Sequence, residues 1–193
     1  MGLSPVDEPI EIRPYDPRWP DLYNAEAARI AQALRPYALA FEHGGSTAVP
    51  GLDAKNVIDI WVAIFRLLDA PWLVARMEGL GYTYRPDLEA QMPDRRFFKK
   101  RDRNGPGFNI HMVEVSSPMW TRDLLFREFL RTHPQDAAAY SALKRDLAAR
   151  HGNDLVAYTE AKTPFIEACH AKARQEGEAQ RLKRENAGKS PPA

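Results

Sequence analysis

The order of apolar and polar positions divides the chain into short, well-punctuated segments. After a loose lead-in over residues 1–9, Ile10 to Tyr15 alternates briefly and reads as an edge strand, because Pro14 is tolerated at an edge and not inside a sheet. Asp16 to Pro20 is a turn, with Pro20 suited to the first position of a helix. From Pro20 to Leu34 an Ala-rich segment carries Leu22, Ala25, Ile30 and Leu34 at helical spacing. Tyr37 to Glu42 is a short apolar strand that ends at a Gly44-Gly45-Ser46 turn. Val57 to Ile64 is β-branched and almost continuous, the pattern of a strand covered on both faces, and Asp59 is its one charge. Pro71 to Leu80 reads as a helix closed by Gly81.

Two further strands follow, Arg95 to Lys100 and Phe108 to Val115. The Asn104-Gly105-Pro106-Gly107 turn between them predicts a hairpin. The remainder is helical. Thr121 to Arg131 carries Leu124, Leu125, Phe126, Phe129 and Leu130. Pro134 opens a helix with Tyr140, Leu143 and Leu147 on one face, and His151-Gly152-Asn153 stops it. A last helix starts at about Leu155 or Pro164 and reaches Ala173, with Thr163 a candidate cap. Residues 174–193 are charged and poor in apolar side chains, which predicts a frayed or disordered tail. The organisation is one domain over residues 10–173 with no internal repeat.

Composition adds exclusions more than assignments. The 193 residues suit a single domain, and a net charge of +1 gives no global case for nucleic acid or membrane as a partner. A lone cysteine, Cys169, excludes an intrachain disulfide framework. Neither a membrane-length apolar run nor a signal-peptide pattern at the N-terminus is present, which predicts a cytoplasmic protein.

The candidate chemistry lies between Glu42 and Ile60. Gly44 and Gly45 permit positive φ and close approach of a ligand to the backbone, and successive amides in such a turn make an anion-binding concavity. Ser46 adds a hydroxyl donor. Asp59 follows thirteen residues later inside an apolar strand, where a carboxylate is costly unless paired or bound to a metal. Mg²⁺ is commonly held by one or two carboxylates together with substrate phosphates. The plainer alternative is an ordinary turn and a satisfied structural carboxylate.

The run Glu42-His43-Gly44-Gly45-Ser46-Thr47-Ala48-Val49-Pro50-Gly51-Leu52, with Ala54-Lys55 and Ile58-Asp59-Ile60, resembles the signature of the GrpB family, a group assigned to the nucleotidyltransferase superfamily. The resemblance covers about residues 10–173. It includes Arg13 to Trp19, Phe98-Lys99-Lys100, Asn109 to Val113, Trp120, Phe126 to Arg131, His133-Pro134, Tyr140, Lys144, Tyr158-Thr159 and Lys162. It implies an α+β, nucleotidyltransferase-like fold, a short mixed sheet flanked by helices with a helical C-terminal part. It also implies a Gly-Ser turn that positions the phosphates of ATP or another NTP, strand carboxylates that hold Mg²⁺, and, through members fused to dephospho-CoA kinase, a link to coenzyme A chemistry.

The chain departs from the pattern in three places. Gly44 stands where the family usually has an apolar residue, and Asn56 where it usually has proline. Active members of the superfamily carry two carboxylates separated by one residue, whereas the positions two away from Asp59 are Val57 and Trp61. Asp59 is therefore the expected metal ligand, and the missing group is sought on the second hairpin strand. His111 and Glu114 are the catalytic candidates. Being three residues apart on a strand, they face opposite sides, so only one reaches the site. Glu42 and His43 flank the turn as metal-site or packing residues.

Beside Gly44, Gly45 and Ser46, the candidate phosphate contacts are Lys55, Lys99 in the basic run 94–103, Arg127 in an apolar helical stripe, Lys144 and Lys162. Two functions follow. One is a Mg²⁺-dependent nucleotidyltransferase acting on a small-molecule acceptor. The other is a non-catalytic nucleotide- or phosphate-binding module that supports a partner enzyme.

Overall fold

The computed structural model describes residues 9–102 and 105–187. In chain order the main elements are α1 (Trp19–Leu34), β1 (Ala38–Gly44), β2 (Val57–Ile64), α2 (Ala70–Gly79), β3 (Thr83–Tyr84), β4 (Arg95–Lys100), β5 (Gly107–Glu114), α3 (Pro118–Thr132), α4 (Pro134–His151), α5 (Leu155–Ala161) and α6 (Thr163–Ala187). The strands form one mixed sheet in the order β1-β2-β5-β4-β3. Only β2 and β5 run parallel. The other neighbours are antiparallel, so the sheet is an α+β arrangement with its helical part C-terminal.

The period of two along β2 and β5 sorts side chains onto two faces. Ile58, Ile60, Val62 and Ile64 of β2 join Ile110 and Met112 of β5 and Phe98 of β4 in one core, roofed by Trp19, Ile30 and Leu34 of α1 and Leu73 and Met77 of α2. Asp59, Trp61, Asn109 and His111 take the opposite parity. A second cluster gathers Val49 and Leu52 of the loop after β1 with Phe129, Leu130, Tyr140, Cys169 and Ala173 of the C-terminal helices. The polar strand positions therefore lie on the face towards the helical half.

Several elements differ from the reading of the sequence. Ile10 to Tyr15 is not a strand. Pro14 removes a donor, and Arg13 makes a single two-way bridge to Ala54, Arg13 N to Ala54 O at 2.9 Å and the reverse at 3.0 Å. In α1 the buried position is Glu26 and not Ala25. The Glu26 carboxylate accepts from the Tyr82 hydroxyl at 2.8 Å and from Lys100, which satisfies a charge on the core side. The two-residue strand β3 carries too short a pattern to be read. The final helix is broken at Lys162, which ends α5, and α6 continues through Ala187, beyond the point where the composition predicts fraying. Residues 174–187 are rich in Ala, Glu, Gln, Lys and Arg, which are good helix formers whatever their hydrophobicity. The rest of the predicted tail, the start of the lead-in and Asn104 of the hairpin turn lie outside the described residues.

The core side makes one measurable demand. Ile110 is fully buried between the sheet and α1 and α2, so Ile110→Ala should lower the unfolding free energy by about 2–5 kcal/mol in urea denaturation.

Candidate functional site

Asp59 is the centre of the polar face. The unbroken β2–β5 register sets it opposite Asn109, with Trp61 opposite His111. Asn109 Nδ2 donates to Asp59 Oδ1 at 2.9 Å, while Asn109 Oδ1 accepts both guanidinium nitrogens of Arg101 at 3.2 Å, which fixes the amide's orientation. His111 Nε2 lies 3.3 Å from the same Oδ1. Arg95 Nη1 sits 3.0 Å from His111 Nδ1, and a guanidinium has only donors. Nδ1 must accept, so the proton is on Nε2 and points at Asp59. Burial alone would raise the Asp59 carboxyl. The hydrogen bond from His111, the Asn109 amide and the charge of Lys55 outweigh it and hold the group down at about 2. A quarter of its side-chain surface remains accessible.

The turn is built around this carboxylate. Gly45 has φ 66° and ψ −170°, a conformation essentially confined to glycine, and a Cβ there would run into Asp59 Oδ2. The second carboxylate oxygen therefore lies directly against the turn. At Gly44 a Cβ would run into the indole of Trp61. That ring stacks on His111 at 4.6 Å and 14°. The glycine thus makes room for the aromatic wall of the site. Asn56 has its own structural use: its Oδ1 accepts from Trp19 Nε1 at 3.1 Å.

The helical half contributes cations. Lys144 of α4 is 2% exposed and donates to Ser46 Oγ at 3.0 Å and to the Asp53 carbonyl. Lys162, at the break between α5 and α6, lies 4.3 Å from the Tyr158 ring centre, and Lys55 approaches the same ring at 5.7 Å. Burial and the neighbouring Lys162 push Lys144 down to about 7, with Asp53 opposing. Burial and Lys55 push Lys162 down to about 8, with Asp59 opposing. Lys55, Lys144 and Lys162 thus come from three segments to one place. Asp59 is the carboxylate shared by Lys55 and Lys162, while the acid facing Lys144 is Asp53, itself partnered by Arg145.

Other residues singled out in the sequence fall elsewhere. Glu114 is on the opposite parity from His111, at the far end of β5, where its Oε1 accepts from Leu67 N at 2.9 Å. It braces a connection and does not reach Asp59. Arg127 is engaged in the protein: Nη1 donates to Glu42 Oε2 and to the His43 carbonyl, both at 2.7 Å, which ties α3 to β1. Lys99 is paired with Asn109 on β4, so it stands two strands from Asp59, about 10 Å at the backbone, on the rim of the polar face. His43 stacks on Tyr23 at 4.7 Å and bonds Thr47 Oγ1 at 3.0 Å. Burial and nearby Arg131 and Arg127, against the pull of Asp59, lower its pKa to about 4, so it is an uncharged anchor of the loop at neutral pH.

The structure also brings in residues the sequence reading passed over. Asp123 of α3 interacts with His111, Arg95 and Asp59, and burial pushes its carboxyl up. Its one available signal was its place four residues before Arg127, on the same helical face. Among the described residues no group of three or more His, Cys, Asp or Glu side chains could hold a metal ion. Asp59 Oδ1 is taken by Asn109 and His111, and Oδ2 lies against the turn. The protein thus offers a single carboxylate here, and a divalent cation at this place would need further oxygen ligands from a bound molecule.

The chain is similar to known proteins over most of its length. The sequence profile of the GrpB protein family matches residues 9–172. A UPF0157 protein of Pseudomonas aeruginosa is 44% identical over 163 residues, covering 83% of this chain and 66% of the relative, so the chain spans just under two thirds of that protein's length. A dephospho-CoA kinase of Mycolicibacterium paratuberculosis is 32% identical over 86% of this chain and 46% of its own. The crystal structure of conserved protein GrpB from Enterococcus faecalis superposes with a TM-score of 0.77 at 30% identity, covering 86% of this chain and 98% of that one.

Two measurements check the geometry. Gly45→Ala should cost about 1–3 kcal/mol from backbone strain alone, and the push on Asp59 adds to it, read by denaturant unfolding. Lys144 keeps its proton in the unfolded chain up to about 10.5 but loses it near 7 when folded. Its stabilising contribution is therefore full above the unfolded value and lost as pH falls through the folded one. Between pH 7 and 9 the thermal midpoint of the wild type should rise more steeply than that of Lys144→Met.

Proposed function

The chain belongs to the GrpB family, and from that premise we propose that it binds a nucleoside polyphosphate at the Gly45–Ser46 turn and passes a nucleotidyl group to a small-molecule acceptor. The observation that carries the reading is the gathering of Lys144, bonded to Ser46 of the turn, with Lys162 beside it and Lys55, the latter two sharing the field of Asp59. A half-buried excess of cations is costly by itself and is relieved by an anion. Gly45 is exposed at the turn with Asp59 packed against its side-chain direction, and Ser46 Oγ is held at the turn by Lys144. In this reading Lys162 and Lys55 meet phosphate charge, and His111 and Asn109 hold Asp59 ionised and oriented with Oδ2 towards the ligand. Mg²⁺ arriving with the nucleotide would neutralise phosphate charge at Asp59. Placement in the nucleotidyltransferase superfamily belongs to the same proposal. The name of the mycobacterial relative, dephospho-CoA kinase, supports a nucleotide or coenzyme substrate class.

A second reading rests on a specific observation. Asp59 has no carboxylate partner on its own strand, where Val57 and Trp61 occupy the neighbouring positions. A phosphate-binding module that supports a partner enzyme needs no such pair.

Calorimetric titration with ATP, CTP, GTP and UTP, with and without Mg²⁺, separates these. A nucleotide should bind the wild type, and Lys162→Met should weaken it by about tenfold or more, equivalent to about 1.4 kcal/mol. Because the lysine must be protonated to meet phosphate, affinity should fall as pH rises through about 8. Asp59→Ala should abolish the effect of Mg²⁺. Metal-independent binding that Asp59→Ala leaves unchanged would select the module, and no binding of any of the four would sink both readings.

A further inference from the structure

The missing second carboxylate leaves the transfer without an obvious way to activate an attacking group. The same turn contains one. Ser46 Oγ lies 3.0 Å from Lys144 Nζ, a hydrogen-bonded hydroxyl–amine pair at the edge of the proposed phosphate site. Ser46 is half-buried, and next to it Gly45 offers an open backbone. Lys144 is almost wholly buried and also donates to the Asp53 carbonyl, so it is held in one place between the loop and α4. We propose that Ser46 and Lys144 form a nucleophile–base dyad, and that Ser46 carries the nucleotidyl group as a covalent intermediate. This rests on the nucleotide-binding reading above and goes beyond it, because Ser46 there is only a phosphate donor.

The step balances without a further reactant. Ser46 Oγ attacks the α-phosphorus of the nucleoside triphosphate. The Oγ–Pα bond forms, the bond from Pα to the bridging oxygen of the β-phosphate breaks, and pyrophosphate leaves. The hydroxyl proton passes to the Lys144 amine. In the second half an acceptor hydroxyl or amine attacks the same phosphorus, Ser46 Oγ departs, Lys144 returns its proton to it, and the acceptor's own proton leaves to water. An activated serine with an adjacent base is the general arrangement for covalent catalysis.

The charges around Lys144 favour the basic form that this requires. Lys162, at the end of α5, and Arg145, on its own helix, both repel a proton from it. The opposing acid, Asp53 of the loop, is paired with Arg145. The rings of Tyr140 and Tyr158 are the other titratable groups close by, and burial raises both, so they stay uncharged. Burial and Lys162 bring Lys144 down to about 7, so a substantial share is unprotonated at neutral pH.

Intact-mass spectrometry after incubation with each of ATP, CTP, GTP and UTP and Mg²⁺, without acceptor, tests the dyad directly. The wild type should gain the mass of one nucleoside monophosphate, and fragmentation should place it on Ser46. Ser46→Ala should gain nothing even at nucleotide concentrations that saturate it in calorimetry. Lys144→Arg keeps a cation beside Ser46 but accepts no proton at neutral pH, so labelling should slow by at least about 100-fold while binding persists. The wild-type labelling rate should climb through pH 7 and level off above it. Wild-type protein that binds nucleotide without forming the adduct overturns the dyad and leaves the binding reading standing. Labelling that survives in Ser46→Ala, or proceeds at the wild-type rate in Lys144→Arg, also overturns it. Failure to bind any of the four nucleotides overturns both.

Discussion

The parallel pairing of β2 with β5 is the constraint on which the rest of the molecule depends. Its ladder runs without interruption from Val57 opposite Gly107 to Ile64 opposite Glu114. Because side chains alternate, this one register decides two things together. It sends Ile58, Ile60, Val62, Ile110 and Met112 into the core under α1 and α2, and it places Asp59 beside Asn109 and Trp61 beside His111 on the other face. A slip of one residue would exchange the faces, burying Asp59 among aliphatic chains and exposing the isoleucines. The hydrophobic demand of the core therefore specifies the geometry of the polar site.

The site itself is completed only where the sheet meets the helices. The strands and the loop bring Asp59, Gly45, Ser46 and Lys55, and the helical half brings Lys144 and Lys162. The joint is made largely by cationic side chains that reach backbone carbonyls. Arg127 binds the His43 carbonyl, Arg131 the Ala48 carbonyl at 3.0 Å and Lys144 that of Asp53. Such bonds grip the loop's main chain, and Lys144 adds the Ser46 hydroxyl. Val49 and Leu52 then pin it from below in the second apolar cluster.

Much of this was legible in the sequence wherever a period or a punctuation residue governed the outcome. The β-branched run of β2, the hairpin of β4 and β5, Pro134 at the start of α4 and the Gly-Ser turn were read from local pattern. Parity alone stated that His111 and Glu114 cannot both face Asp59. What remained hidden was set by partners distant in the chain. Nothing local in Lys144 says that it is buried, because its neighbours Ser46 and Asp53 lie about a hundred residues away. Arg127 reads equally as a phosphate contact or a brace until Glu42 is seen against it. Asp123 becomes a site residue only when α3 is packed on the sheet. The edge strand expected at Ile10 to Tyr15 failed for the opposite reason: its alternation is real, but prolines on either side of Tyr15 leave it one bridge.

Gly44 and Trp61 occupy the same volume from two adjacent strands. Only one of the two positions can carry bulk, since a methyl at residue 44 would sit inside the indole ring. The pair thus behaves as a single steric variable distributed over two codons. In this chain, filling the turn with a side chain would displace the flat wall against which His111 lies. The identity of residue 44 becomes, in effect, a readable mark of how the imidazole beside the carboxylate is held.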